Sequence, residues 1–251
     1  MLGFAPKLPV SDEERLWVDQ SFARLETLLG RHRMLDAEVV LPTAEHFPDP
    51  YDKSPASVEK LFQRVCDYMK VARKSVELEV FPDETSELHE MLPSWRGRSA
   101  GPAGLYFHPN VERDEKQGML VAIRATQIAD PLSLVATIAH ELGHVVLLGG
   151  ELLSNETPDH EPMTDLLTVF LGLGIFTANS SERFRQHQDD RRQGWSMQRL
   201  GYLPQEVFGY ALARFARERK EHKPEWAAHL STNARAYFKN SAAWLEKNDV
   251  V

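Results

Sequence analysis

The chain has 251 residues, enough for one large domain or two small ones. Hydrophobic residues make up 42% and charged residues 26%, which excludes disordered, collagen-like and coiled-coil classes. The 29 basic and 37 acidic side chains leave a formal charge of −8, a field that repels phosphate and argues against nucleic acid as a partner.

Ser11 followed by Glu14 has the form of a capping box. Leu16, Phe22, Leu25, Leu28 and Leu29 then recur at helical spacing up to Gly30, which predicts a first helix ending there. Ala37–Leu41 reads as a short strand closed by Pro42, and the proline-rich Thr43–Pro55 as a loop. Ser57–Val71 predicts a second helix that buries Val58, Leu61, Phe62, Val65 and Met69. Ser75–Phe81 alternates Val76, Leu78 and Val80 with Glu77 and Glu79, the pattern of a half-exposed strand. Pro82–Gly104 cannot be one regular element throughout, and reads as a surface loop or a lid. Leu105–His108 and Met119–Thr126 are the next strands, joined by a polar turn. Pro131 sits where proline favours a helix start. Helices are predicted near 131–148, 162–178, 204–221, 224–229 and 231–247. Gly149-Gly150 fits a helix C-cap, and Gly143, Gly172 and Gly174 read as packing positions within helices. The expected fold class is α+β. A mixed lobe, 1–150, with four or five strands precedes a mainly helical lobe, 151–251, within a single domain, 1–251.

The single cysteine, Cys66, excludes an intramolecular disulfide and suggests a reducing compartment. Met1–Val10 has no apolar core of signal length. Leu166–Ala178 falls short of the ~18–20 apolar residues of a membrane helix. The expectation is a soluble cytoplasmic protein with no membrane partner.

The strongest chemical signal is His140-Glu141-Leu142-Gly143-His144. On a helix, residues i and i+4 share a face, so both imidazoles can reach one ion. Glu141 is then placed to reach a water on that ion without binding the ion itself. The bland alternative is an incidental pair of core histidines. It is disfavoured because Val135, Ile138, Val145 and Val146 make the surroundings apolar, and buried polar groups need a partner.

This motif resembles that of the zincin metallopeptidases, and the resemblance covers residues 119–178. It implies Zn²⁺ held by His140 and His144, Glu141 as general base, a zincin-like fold with a small mixed sheet packed on the active-site helix, and a third ligand from a following helix. The metzincin extension fails, because Leu147 and Gly150 stand at its positions, and Cys66 lacks the context of a deformylase ligand. Downstream, Glu161 and Asp165 form the E-x-x-x-D pattern that resembles the gluzincin branch. That branch implies Glu161 as ligand and Asp165 as the group that orients a histidine. Read from the residues alone, either carboxylate could be the third ligand, since Glu161 before Pro162 also suits a helix cap. His160 reads as a surface histidine. An oxyanion donor is expected from Tyr202, Tyr210, His187, His229 or Tyr237, with no choice among them.

The expected activity is peptide-bond hydrolysis on a peptide or protein substrate, with Met119–Thr126 offering its edge to an extended segment. The basic cluster Arg183, Arg185, Arg191 and Arg192 would suit an acidic partner or an ordinary solvated face. The alternative function is a metal-binding, zincin-like regulatory protein without peptidase activity.

Overall fold

The computed structural model describes residues 7–81, 104–107, 119–154, 156–186 and 203–248. In chain order its helices are α1 (Asp12–Leu29), α2 (Arg31–Leu35), α3 (Pro55–Met69), α4 (Pro131–His144), α5 (His160–Phe170), α6 (Gly174–Gln186), α7 (Gln205–Glu218) and α8 (Thr232–Asn248). The strands are β1 (Val76–Phe81), β2 (Gly104–Phe107) and β3 (Met119–Arg124). The architecture is α+β and mainly helical. Two units divide it, one from Met1–Leu41 with Pro158–Val251, the other from Pro42–Thr157.

In the mixed unit, Ser54 caps α3 by accepting from Ser57 N–H (3.2 Å), and Pro55 takes the first helical position. The buried face is Val58, Phe62, Val65, Cys66 and Met69, with Leu61 only half-buried. The sheet has the order β1-β3-β2. Strand β3 runs parallel to β1, from Val76↔Met119 to Phe81↔Arg124, and antiparallel to β2, from Gly104↔Ile123 to Phe107↔Leu120. Leu120, Val121, Ala122 and Ile123 are all buried. An unbroken apolar run is what a central strand covered on both faces requires. The expected peptide-binding edge at Met119–Thr126 is therefore corrected, because β3 has a neighbour on each side. Residues 125–129 do not extend it but form a 3-10 turn. In β1 the alternation slips: Val80 is exposed, and Phe81 turns inward with the Arg124 guanidinium 5.5 Å over its ring. Helix α4 touches α3, β2 and β3, and so lies within this unit's core.

In the helical unit, the expected capping box closes α1. Glu14 N–H donates to Ser11 Oγ (3.2 Å), and Ser11 N–H donates to Glu14 Oε2 (2.6 Å). Gly30, at φ +86°, ends it. Val18, Phe22 and Leu25 are buried, whereas Leu16 is half exposed. Helix α1 packs on α5 and α7, and the Phe22 and Phe170 rings stand 6.2 Å apart. This is why the N-terminal stretch, expected with the mixed lobe, belongs with the helices that follow residue 158. Arg219 joins the end of α7 to the turn after α2, donating to the carbonyls of Met34, Leu35 and Ala37 at 2.8–2.9 Å.

Two further expectations change. Ala37–Leu41 joins no sheet among the described residues. Its Val40 N–H donates instead to the Gly172 carbonyl (3.0 Å). The helix expected over 162–178 is interrupted between α5 and α6 by the same Gly172, at φ +87°. A side chain there would place its Cβ 2.1 Å from the Glu38 carbonyl oxygen. Only glycine combines that backbone conformation with that close approach. Three strands, rather than four or five, form the described sheet.

Gly172→Ala is predicted to lower the unfolding free energy by roughly 2–4 kcal/mol, the sum of left-handed strain and overpacking. Urea denaturation of the two proteins checks this.

Candidate metal centre

Helix α4 begins where the sequence places it. Asp130 caps it, accepting at Oδ1 from Leu132 N–H (3.2 Å) and Ser133 N–H (3.3 Å), and Pro131 occupies the first turn. The preceding turn is fixed from two sides. Tyr51 donates its hydroxyl to the Ile128 carbonyl (2.8 Å), and Thr137 donates to Gln127 Oε1 (2.8 Å). Every residue from Ser133 to His144 is buried. A helix apolar on all sides belongs in an interior, and this one carries three ionisable side chains with it. His140, Glu141 and His144 are 2%, 3% and 6% exposed. By length and composition Pro131–Gly149 would also suffice to cross a membrane, but 83% of its most apolar window is buried inside the protein, as in a core helix.

The two imidazoles stand one turn apart with ring centroids 4.8 Å from each other and planes at 85°. After His144 the helix widens into a π turn, Val145–Gly149. The chain then leaves through Leu152 and Leu153, whose N–H groups both donate to the Leu147 carbonyl (2.9 Å). The expected glycine cap is modified. Gly150 has φ −81°, and the left-handed residue is Glu151 at φ +55°. Gly150 matters for space, since a Cβ there would fall 2.5 Å from the Val146 carbonyl oxygen.

Helix α5 supplies the two candidate carboxylates. Glu161 lies in its first turn, inside the helix rather than at the cap, which Asp159 occupies. The His140 and His144 imidazoles lie one turn apart on α4. Two imidazole nitrogens and a carboxylate oxygen are a donor set that Zn²⁺ accepts.

Asp165 is 1% exposed, and its Oδ2 accepts the backbone N–H of Leu203 at 2.7 Å. A buried bond of this kind anchors the chain just ahead of α7. One turn on, Thr168 donates to the Asp165 carbonyl (2.7 Å), and its hydroxyl lies 2.8 Å from that of Thr177.

Of the expected oxyanion donors, Tyr210 is buried and donates its hydroxyl to Asp19 Oδ1 (3.0 Å). Burial, with Asp19 adding to it, pushes that phenol above its usual range. His229 and Tyr237 are half-buried, and the His229 carbonyl accepts from Asn179 Nδ2 (2.9 Å). His187 and Tyr202 lie outside the described residues, as do 82–103 of the expected lid, Arg191 and Arg192, and the side chains of Arg183 and Arg185. Sequence reasoning passed over Gln127. Its signal was Thr137, a polar residue one helical turn ahead of Glu141 in an apolar stretch. Cys66 is fully buried, and burial pushes its thiol up to about 12, so it supplies no thiolate.

No family model, no curated protein and no solved structure matches the chain. The functional reading therefore rests on the site itself.

Asp165→Ala leaves the Leu203 N–H buried and unpaired, and is expected to cost about 2–3 kcal/mol. Asp165→Asn, which keeps an acceptor, should recover most of it in the same urea titration. Cys66 should resist a thiol-reactive dye in the native protein and react at once in denaturant, as read by absorbance.

Proposed function

We propose that this protein is a zinc-dependent metallopeptidase of the zincin type, similar to the gluzincins, with His140, His144 and Glu161 as the metal ligands. The observation that carries the reading is the buried HELGH helix, whose two imidazoles stand one turn apart with ring centroids 4.8 Å from each other. Glu161 is preferred to Asp165 as third ligand, because Asp165 already holds the Leu203 N–H. Zn²⁺, when bound, supplies Lewis acidity towards water and towards a substrate carbonyl. Glu141 lies one residue after the first histidine and is 3% exposed. Its carboxylate takes the proton of the attacking water and passes it to the nitrogen of the leaving amine. The substrate is a peptide or protein segment, and the cell compartment consistent with the single buried thiol is the cytoplasm.

Two measurements test this. Purified protein should carry about one equivalent of zinc by elemental analysis, and His140→Ala, His144→Ala and Glu161→Ala should each lose it, as an open three-ligand site requires. Asp165→Ala should keep its zinc while melting earlier. Glu141→Gln should keep its zinc and lose turnover of a fluorogenic peptide mixture by about 10²–10⁴-fold. Zinc retained without both histidines rejects the site. Zinc bound with no turnover by the wild-type protein leaves the regulatory metal-binding alternative.

A further inference from the structure

We propose that Gln127 is a substrate-binding residue, its side-chain amide donating to a backbone carbonyl of the peptide beside the scissile bond. Resting on the peptidase reading above, this adds a group that holds the substrate's main chain, and every residue involved belongs to the unit Pro42–Thr157.

At about 100° per residue, Ser133, Thr137, His140, Glu141 and His144 fall on one arc of α4 about 100° wide. Leu134, Val135, Ala136, Ile138, Ala139 and Leu142 occupy the rest of that stretch. Thr137 thus continues the histidine face by one turn towards the N-terminus, about 4.5–6 Å along the axis from His140 and Glu141. It is 2% exposed. A helical threonine can return its hydroxyl to the carbonyl four residues back. Thr137 donates instead to Gln127 Oε1 (2.8 Å), in the 3-10 turn Ala125–Ala129 that leads into the helix.

That bond decides which way the amide faces. With Oε1 held by Thr137, the two N–H groups on Nε2 are turned from it, and they have no partner among the described residues. Gln127 is half-buried, so its donors are neither sealed in nor fully solvated. Its backbone is tied as well. The Gln127 carbonyl accepts from Asp130 N–H (3.2 Å), and the Tyr51 hydroxyl donates to the next carbonyl, that of Ile128 (2.8 Å). A donor held in this way loses little freedom when a ligand arrives. Two amide N–H groups call for an acceptor, and a peptide carbonyl is one. An extended peptide advances about 3.4 Å per residue. A donor one helical turn from the imidazoles therefore meets a carbonyl one or two residues from the bond being cut.

The test uses full-length zinc-loaded protein, with zinc content, turnover of the fluorogenic peptide mixture, and binding of a labelled hexapeptide taken from its best-cleaved member. Binding is read by fluorescence anisotropy on the Glu141→Gln background. Gln127→Glu keeps the acceptor for Thr137 and exchanges the donors for a charged oxygen. It should raise KM and the peptide Kd about tenfold or more, with kcat within about threefold and zinc content unchanged. A contact made equally in ground and transition states moves KM rather than kcat. Gln127→Met removes both halves of the amide and should raise KM about three- to tenfold, the worth of one hydrogen bond. Thr137→Val frees the amide to turn and should raise KM about two- to threefold. Wild-type KM and peptide binding in Gln127→Glu would mean that the amide merely ties the turn, which overturns the proposal while the peptidase reading stands. So does loss of zinc in Gln127→Glu, or an effect confined to kcat. A wild-type protein that cleaves no peptide overturns the peptidase reading and this inference with it.

Discussion

A helix that is apolar on every side can be stable only when other parts of the protein cover it, and α4 meets that condition along its whole length after the first turn. Burial of Leu134, Val135, Ile138 and Leu142 therefore also commits His140, Glu141 and His144 to the interior. Solvating three such groups in water is cheap, and enclosing them is costly unless they meet complementary partners. The rest of the mixed unit follows from that requirement. Helix α3 presents Phe62, Val65 and Met69 as core, β3 is sealed on both sides by its neighbours, and the turn ahead of α4 is tied down by Tyr51 and Thr137.

The helical unit meets a different demand. Its interior contains many polar groups, and several of them are paired across long stretches of sequence. Asp165 accepts the Leu203 N–H, Tyr210 donates to Asp19, Asn179 accepts the Ser231 N–H and donates to the His229 carbonyl, and Gln205 donates to the Ala178 carbonyl. Such bonds contribute little net stability one by one, but leaving any of them unmade is expensive. They fix which helix follows which and how each one starts. Asp159, at the head of α5, likewise accepts the Trp17 indole N–H of α1 instead of capping its own helix.

What could be read directly from the chain is what depends on near neighbours. The Ser11/Glu14 box, the stop at Gly30, Pro131 at a helix start and the i, i+4 histidines all act within a turn or two, and the structure has them where expected. The errors share a cause. Gly172 breaks a helix because a carbonyl from Glu38 occupies the space beside it, and nothing within several residues of Gly172 announces that. The bond from the Leu203 N–H to Asp165 was equally out of reach, because backbone partners leave no mark in a sequence. The position of β3 was legible in principle. Leu120–Ile123 has no alternation, and an uninterrupted apolar run suits a strand with neighbours on both sides better than one at an edge.

The widened turn at Val145–Gly149 has one more implication. A π turn holds an extra residue compared with the α-helical turn it replaces, at the expense of well-aligned backbone bonds. Loss of a single residue there would let the segment relax into regular α-helix, without disturbing the fourteen residues of α4. The chain thus has a tolerated point of length variation immediately after its histidine pair. In related sequences, gaps of one residue would be expected to collect there before anywhere else in this helix.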